Sequence, residues 1–252
     1  MIMNNIEEKK MSLTEHLAEL RKRLLRSIIA LGIGFLACYY FKDGIFNIVT
    51  KPLTEALPKN SYLIYTGLTE AFFVYMKLSF FASLIITSPF ILYQIWKFIE
   101  PGLLETEKKY IVPFVVSSTS LFVGGILFGY FIVLPPAFEF FVSFNNKYLQ
   151  AMISFSDYLS LFVTFLLGFG VSFELPIFIF FLARLGIVNA QMLSKQRRYA
   201  ILIIFIAAAV LTPSPDALSQ VLMAIPLMVL YEVSIFVAKF AAKKKPLPDS
   251  DQ

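Results

Sequence analysis

The sequence has very little of the side-chain chemistry that most enzymes and metalloproteins use. Among 252 residues there is one cysteine, Cys38, and one histidine, His16. A single cysteine excludes an internal disulfide and a cysteine metal cluster, and a single histidine excludes a two-histidine metalloprotease site. The sequence also lacks a phosphate-binding loop of the GxxxxGK[ST] form, so the chain is not expected to consume nucleotide by itself. No cofactor is expected.

Charged residues are scarce as well, and apolar residues take their place. Charged residues make up 15% of the chain and hydrophobic residues 58%, including 28 phenylalanines. Soluble domains contain roughly 45–50% apolar residues, and the mean hydropathy here is +0.74. This composition predicts an integral membrane protein.

Six segments are apolar enough to be spans of a bilayer, which takes about 20 helical residues. They are 24–41, 71–96, 111–134, 158–185, 199–211 and 217–240. We therefore expect an all-α membrane protein whose residues 1–252 form one six-span domain, with an N-terminal cytoplasmic helix over 12–23 and a cytoplasmic tail over 241–252. The fifth span is short, about 20 Å at 1.5 Å per residue, and Pro213 and Pro215 prevent its extension.

Prolines and small residues inside the spans indicate how the helices assemble. Pro89, Pro176 and Pro226 fall within the second, fourth and sixth spans, where each removes a backbone donor and bends its helix. Bent helices favour a concave, cupped wall. Gly125 and Gly129 form a small-xxx-small pair in the third span, which is typical of close helix packing within the chain or, alternatively, of dimerisation.

The positive residues indicate the orientation in the membrane. Six spans place both termini on one side, and that side carries 17 lysines and arginines against 5 on the other. Cytoplasmic loops carry such an excess, so both termini are predicted to be cytoplasmic. The net charge of +5 is thus a signal of topology, with a contribution from anionic lipid, and no nucleic acid is expected as a partner.

One carboxylate, Glu174, lies near the middle of the fourth span. A charge at that depth costs roughly 2.5–3.5 kcal/mol on insertion scales. One interpretation is a neutral side chain that bonds to a carbonyl group freed by Pro176. The other is a polar point in a wet cavity, contacted by a substrate or a partner helix. The sequence leaves partner contact and proton coupling both open.

Carboxylates also stand beside apolar residues on the predicted cytoplasmic face. Ser12 and Glu15 form a capping-box pattern that starts a helix, and Glu19 lies four residues before Arg23, a spacing typical of an exposed pair worth about 0.2–0.5 kcal/mol. The loop between the second and third spans adds Glu100, Glu105 and Glu107. This pattern indicates a surface that binds something both cationic and apolar.

Five segments, taken together, resemble one known family. They are "HLAELRKRL" (16–24), "GLTEAFFVYMKLS" (67–79), "ILYQIWKFIEPGLLETEKK" (91–109), "FGVSFELPI" (169–177) and "LTPSPDALSQVLMAIPL" (211–227). In this order and at this spacing the chain is similar to the TatC family, the multispanning receptor of the twin-arginine protein translocase. The resemblance covers nearly the whole chain.

The resemblance implies a function and a place in the cell. It implies a bacterial inner-membrane receptor that binds the twin-arginine signal peptides of folded precursors and assembles a translocation site driven by the proton gradient. The implied partners are the single-span proteins TatA and TatB and further copies of the chain.

The resemblance also implies site residues. The signal-peptide site would comprise Glu19, Arg21, Leu24, Phe98 and Glu107. Arginine pairs bidentately with carboxylate, so two adjacent arginines suit Glu19 and Glu107. Glu174 would form the polar floor of the concave surface. Contacts with TatA and TatB would fall on Thr212, Asp216 and Gln220.

A different class of function is kept as the alternative, a small-solute secondary transporter with Glu174 as its proton site. The sequence shows no internal repeat, and six spans with one buried acid make a sparse pathway. An intramembrane enzyme is disfavoured further because no nucleophile and base pair is evident.

Overall fold

A computed structural model describes residues 13–58, 63–65, 67–102, 111–145, 152–212 and 216–241, which are helical apart from short connections. The helices, in chain order, are α1 (Leu13–Tyr40), α2 (Lys42–Ala56), α3 (Glu70–Ile99), α4 (Ile111–Phe128), α5 (Leu134–Ser143), α6 (Phe155–Phe173), α7 (Leu175–Arg184), α8 (Ala190–Lys195), α9 (Arg197–Leu211) and α10 (Ala217–Ala241). A π-helical segment, Gly129–Val133, joins α4 to α5, and a 3-10 turn, Glu100–Gly102, follows α3. The all-α prediction is confirmed.

The helices reproduce the predicted spans. Five helical stretches are long and apolar enough to cross a membrane: Thr14–Tyr40, Glu70–Ile99, Ile111–Ser143, Phe155–Arg184 and Ala217–Ala241. The remaining predicted span, α9, has 15 residues and so covers only about 22 Å of the roughly 30 Å of hydrocarbon. The short fifth span is thus confirmed.

One helix, α2, was not expected from the hydropathy pattern. It lies between the first two spans and buries Val49 and Leu53, four residues apart, on one face. It packs against α5 and α3. Two tyrosines from the spans hold it, because Tyr130 donates to the Ile48 carbonyl at 2.8 Å and Tyr158 donates to the Val49 carbonyl. A short amphipathic helix contains too few consecutive apolar residues to register as a span.

The core is built around α6. Phe162, Phe165 and Phe169 are buried on this helix, and α6 packs mainly against α4. Two glycines, one in α4 and one at the start of the π-helical segment, make this contact possible. A Cβ added to Gly125 would lie 2.6 Å from the backbone oxygen of Phe169, and one added to Gly129 would lie 2.8 Å from Leu166. Packing within the chain is therefore confirmed for the Gly125 and Gly129 pair.

The fourth span, for which Pro176 predicted a bend, is interrupted next to that proline. α6 ends at Phe173, Glu174 forms a turn, and α7 begins at Leu175 with Pro176 as its second residue. Proline has no N–H for the preceding helical turn, so a break at this point follows from the sequence. Pro89 and Pro226 lie inside uninterrupted helices. The concave outline inferred from the prolines stays a prediction.

Helix α1 is attached to the rest of the molecule through one neighbour. It runs along α3 and touches α2 only at its end. The two helices approach closely where Gly34 faces Ser83 and Thr87, and the Ser83 hydroxyl donates to the Leu31 carbonyl at 2.8 Å. Most other apolar side chains of α1 are exposed, which suits a helix surrounded by lipid.

Candidate functional site

The N-terminal end of α1 meets the C-terminal end of α3 at a corner that we call the α1–α3 corner, residues 14–24 and 94–99. The His16 ring stacks on the Phe98 ring, with 4.3 Å between centroids and 18° between planes. This contact places the only histidine of the chain against one of the apolar residues predicted for the signal-peptide site. The stacking fixes the first turns of α1 on the last turn of α3.

The Glu19 carboxylate lies in this corner and is bound by Arg23. Arg23 Nε donates to Glu19 Oε1 at 3.0 Å, and Arg23 Nη2 donates to the same oxygen. Arg23 Nη1 donates to Gln94 Oε1 at 3.3 Å, and Gln94 on α3 is 4% exposed. The pair expected along one exposed helix is therefore part-buried and linked to a second helix. Gln94 was not among the residues predicted from the sequence, although a polar side chain in the apolar stretch of α3 is a signal for such a contact.

Exposed apolar and basic side chains lie on the same turns of α1 as Glu19. Leu24 is 56% exposed, and Leu17 and Leu20 are exposed on the same stretch of α1. Arg21 is exposed as well. The structure thus places Glu19 on the side of α1 that faces α3, one turn from the His16 ring that stacks on Phe98, with exposed leucines on the same turns of α1.

The second carboxylate predicted for this site, Glu107, lies outside the described residues, as do Glu105 and Ser12. Their positions relative to Glu19 stay predictions. Glu100, the first carboxylate of the same loop, forms an ion pair with Lys97 one turn earlier.

An open groove of about 610 Å³ lies farther along α1 and α3. We call it the α1–α3 groove; its lining includes Ile28, Leu31, Gly32 and Phe35 of α1 and Phe73, Met76, Lys77 and Phe80 of α3. The lining is apolar except for Lys77 and Ser156. Lys77 Nζ donates to Ser160 Oγ at 2.9 Å. On α1, Leu24, Ile28 and Leu31 follow one another at helical spacing, so the apolar surface of the corner continues into this groove.

Glu174 lies at the break between α6 and α7 with its carboxylate turned into the protein. Its Oε1 atom is buried and accepts no hydrogen bond within the described part of the chain. The Ser118 hydroxyl of α4 lies beside the carboxylate and accepts a hydrogen bond of 3.0 Å from Trp96 Nε1 of α3. A polar chain therefore runs from Trp96 through Ser118 to Glu174. No sequence pattern connects these three residues, which lie on three different spans.

The turn between α9 and α10 holds the three residues predicted to contact partners. Thr212 is buried, and its hydroxyl donates to the Ala208 carbonyl of its own helix at 2.8 Å. Asp216 Oδ1 accepts from the backbone N–H of Ser219 at 2.7 Å and so caps α10. Gln220 Nε2 donates to the Phe205 carbonyl at 3.1 Å, which ties α10 to α9. These hydrogen bonds are made to the backbone of α9 and α10 themselves.

No group of three His, Cys, Asp or Glu side chains that could hold a metal ion occurs in the part of the chain that the structure describes.

Comparison with known proteins points to one family. The family model described as "TatC: Sec-independent protein translocase protein (TatC)" matches residues 15–226. A Sec-independent protein translocase protein TatC from Desulforapulum autotrophicum is 48% identical over 246 residues, covering 98% of this chain and 90% of the relative. The protein of the same name from Escherichia coli is 42% identical over 232 residues, covering 92% and 90%.

A solved structure agrees with these sequence relatives. The structure described as "Crystal Structure of Twin Arginine Translocase Receptor- TatC" superposes with a TM-score of 0.81 at 42% sequence identity. The alignment covers 90% of this chain and 99% of the crystallised chain.

Proposed function

The chain belongs to the TatC family of Sec-independent protein translocase proteins, and from that membership we propose that it is the receptor subunit of a twin-arginine translocase. It is a multi-pass membrane protein. Its proposed ligand is the twin-arginine signal peptide of a folded precursor. The observation that carries the proposal is the Glu19 carboxylate, part-buried beside exposed apolar surface in the α1–α3 corner.

The chemistry of the corner suits a peptide with arginines followed by apolar residues. Both bonds from Arg23 end on Glu19 Oε1, and Oε2 accepts none from the described residues. This oxygen is available to an incoming guanidinium, which forms strong charge-assisted hydrogen bonds with carboxylates. Leu24 and Phe98 would contact the apolar residues that follow the arginines, Arg21 would line the same surface, and Glu107 would bind the second guanidinium.

Peptide binding by single variants tests this proposal. Glu19→Ala and Glu107→Ala should each weaken binding of a purified twin-arginine peptide by about 1.5–3 kcal/mol, the value of a hydrogen bond to a charged group. A peptide with two lysines should bind less well, since lysine lacks the planar fork. Glu139→Ala, which removes an exposed carboxylate of α5, is the control. Unchanged affinity in both variants would contradict the proposed site.

We propose a separate role for Glu174 in assembly of the translocation site. Ten residues of helix, about 15 Å, separate it from Arg184, and Ser118 stands between it and Trp96 of the α1–α3 corner, so we expect arginines held at Glu19 not to contact it. An apolar segment inserted into the membrane, or a partner helix with a polar residue, would contact Glu174. The buried Oε1 atom accepts no hydrogen bond from the described residues. This supports the role, since burial of a polar atom without a hydrogen-bond partner is unfavourable and a partner helix could supply the missing donor.

Two substitutions separate this role from proton transfer. Glu174→Ala should leave peptide binding nearly intact and impair transport or crosslinking to a partner. Glu174→Gln should be milder, because an amide replaces the hydrogen bonds of a protonated acid. Equal damage by both would favour a titrating proton and thus the transporter alternative. Loss of peptide binding in Glu174→Ala would show that the two sites are not separate.

The partners proposed for the translocation site are TatA, TatB and further copies of the chain, with transport driven by the proton gradient. Single-span partners would pack on the edge formed by α9 and α10 near Thr212, Asp216 and Gln220. A photo-reactive group at Gln220 should then crosslink to a partner helix, whereas one at Phe236, exposed near the other end of α10, should do so much less. Equal crosslinking at both positions would argue against this edge.

The proposed location is the bacterial inner membrane, with both termini in the cytoplasm. The observation behind it is the excess of positive residues on the terminal side. Cysteines placed at Asn146 and Asp249 in a Cys38→Ala background test it with an impermeant reagent in intact cells. Asn146 should react and Asp249 should not; the reverse pattern would overturn the orientation.

A further inference from the structure

The proposed recognition carboxylate already holds a guanidinium from its own chain. Two nitrogens of Arg23 donate to Glu19 Oε1, one of them at 3.0 Å. Only 14% of the Arg23 side chain and 20% of the Glu19 side chain are exposed. A part-buried pair of this kind is screened less by solvent than an exposed helix pair.

Arg23 is fixed at a second point. Its third nitrogen, Nη1, donates to Gln94 Oε1 at 3.3 Å, and Gln94 is buried on α3. The guanidinium is therefore held between α1 and α3 and is not free to move along the surface of α1. All three of its nitrogens are used, two on Glu19 and one on Gln94.

This arrangement has a direct consequence for any cationic ligand. The charges of Glu19 and Arg23 cancel, so the pair attracts a distant cation weakly. A ligand that takes Glu19 in the bidentate manner preferred by guanidinium needs both carboxylate oxygens, and Oε1 is occupied. The ligand must displace Arg23 from Oε1 while the Gln94 contact keeps Arg23 nearby.

We propose that Arg23 competes with the signal peptide for Glu19, so that binding exchanges one guanidinium for another. This inference rests on the proposed function. The competition sets a threshold: every cationic ligand, arginine or lysine, must break the same Arg23 bonds before it takes Glu19 Oε1. The threshold lowers the affinity of all cationic peptides by the same factor, and weak ones fall below the level at which they bind usefully.

The experiment measures affinity of the full-length protein for an Arg-Arg peptide and a matched Lys-Lys peptide. Arg23→Gln should raise the affinity for both by a similar factor, on the order of threefold to tenfold, because it removes the competing bonds and the opposing charge. Lys22→Gln, which removes the same charge from the adjacent exposed position, should change affinity far less. If Arg23→Gln does not fold, Arg23→Met is used in its place, because methionine keeps the apolar part of the arginine side chain.

A double variant shows whether Arg23 acts through Glu19. In a Glu19→Gln background, Arg23→Gln should give no gain, since there is no carboxylate left to release. A role confined to helix packing would not produce this dependence. A full gain in that background, or an equal gain from Lys22→Gln, would overturn the proposal in favour of general charge repulsion.

The outcomes also separate this inference from the function on which it rests. If Glu19→Gln weakens peptide binding and Arg23→Gln weakens it too, Arg23 positions Glu19 and does not compete; the inference is then wrong and the proposed function stands. If the unmodified chain binds neither peptide, or Glu19→Gln leaves binding unchanged, the proposed signal-peptide site fails and the inference falls with it.

Discussion

The first span, α1, and the fourth, formed by α6 and α7, are both apolar enough to cross a membrane, yet they use their apolar surface in opposite ways. In the most apolar window of α1, 6% of the residues are buried, against 44% in the fourth span. The mean hydropathies of the two windows, 1.4 and 2.1, both pass as spans. The apolar residues of α1 are thus mostly exposed on the surface that faces lipid, whereas many of those in the fourth span are packed inside the protein.

The difference matters for function because the exposed helix carries the recognition residues. α1 contacts the molecule mainly through α3, and both the α1–α3 corner and the α1–α3 groove lie along that single contact. α6 carries the core phenylalanines and supports the break at Glu174. We expect substitutions in α6 to affect the whole fold and substitutions at the α1–α3 contact to affect mainly the attachment of α1.

The largest effect is expected where the core phenylalanines pack. Phe169 is 0% exposed and Leu36 of α1 is 70% exposed. Phe169→Ala should lower the free energy of unfolding by about 3–5 kcal/mol, because it leaves a cavity in a packed core. Leu36→Ala should change it by less than about 0.5 kcal/mol. Denaturant unfolding in detergent measures both. A large loss from Leu36→Ala would mean that α1 packs against another chain.

A smaller loss is expected from one added methyl group between α4 and α6. The Cβ of Gly125→Ala would lie 2.6 Å from the Phe169 backbone oxygen, whereas that of Gly124→Ala meets nothing within 4 Å. Gly125→Ala should destabilise the protein by about 1–3 kcal/mol through overpacking. Gly124→Ala should instead stabilise the protein by up to about 1 kcal/mol, because alanine has a higher helix propensity than glycine. Thermal unfolding of the two variants tests this prediction. Equal unfolding midpoints would contradict the close approach of α4 to α6.

The corresponding pair on α1 should affect attachment rather than the core. A side chain at Gly34 meets Ser83 and Thr87 at 2.7 and 2.8 Å, and one at Gly32 enters the open groove. Gly34→Leu should cost about 1 kcal/mol, the lower end for overpacking, because side-chain atoms give way more easily than backbone. Hydrogen exchange should increase in α1 with little change in α6. Gly32→Leu should leave exchange in α1 unaltered; faster exchange there would argue against an open groove.

The smallest effect concerns one hydrogen bond between helices. Ser83 Oγ donates to the Leu31 carbonyl of α1, whereas Ser79 Oγ donates to the Tyr75 carbonyl of its own helix, and both serines are 0% exposed. Ser83→Ala should cost about 0.6 kcal/mol, the average for such bonds between membrane helices, and should speed exchange in α1. Ser79→Ala should not alter exchange in α1. An equal response in both variants would show that the Leu31 bond does not hold α1.

Much of the fold followed from hydropathy, since a helix that crosses lipid must satisfy its backbone internally and needs about 20 apolar residues. The six spans and the short α9 were predicted on this basis, and a bend at Pro176 was predicted from its missing N–H. α2 was missed because an amphipathic helix of 15 residues at the membrane edge is not distinguished by average hydropathy. Its burial depends on tyrosines 82 and 109 residues away along the chain.

Part of the candidate site could likewise be predicted from the sequence, and part could not. Glu19, Leu24, Phe98 and Glu174 could be named from motifs, because family resemblance fixes which residue types stand at which spacing. The contacts between these residues and others could not be named. Gln94 bonds to Arg23 across 71 residues, and Ser118 lies beside Glu174 although more than 50 residues separate them in the sequence.

The sequence by itself determined the membrane class, the number of spans, the place where the fourth helix breaks and the family to which the chain belongs. These depend on composition, local backbone chemistry and residue order. Only the tertiary structure decided which apolar faces meet protein and which meet lipid, and that Arg23 binds Glu19 while held by Gln94. The physical reason is that hydropathy is a property of each residue alone, whereas close packing and hydrogen bonds between helices depend on which helices lie side by side.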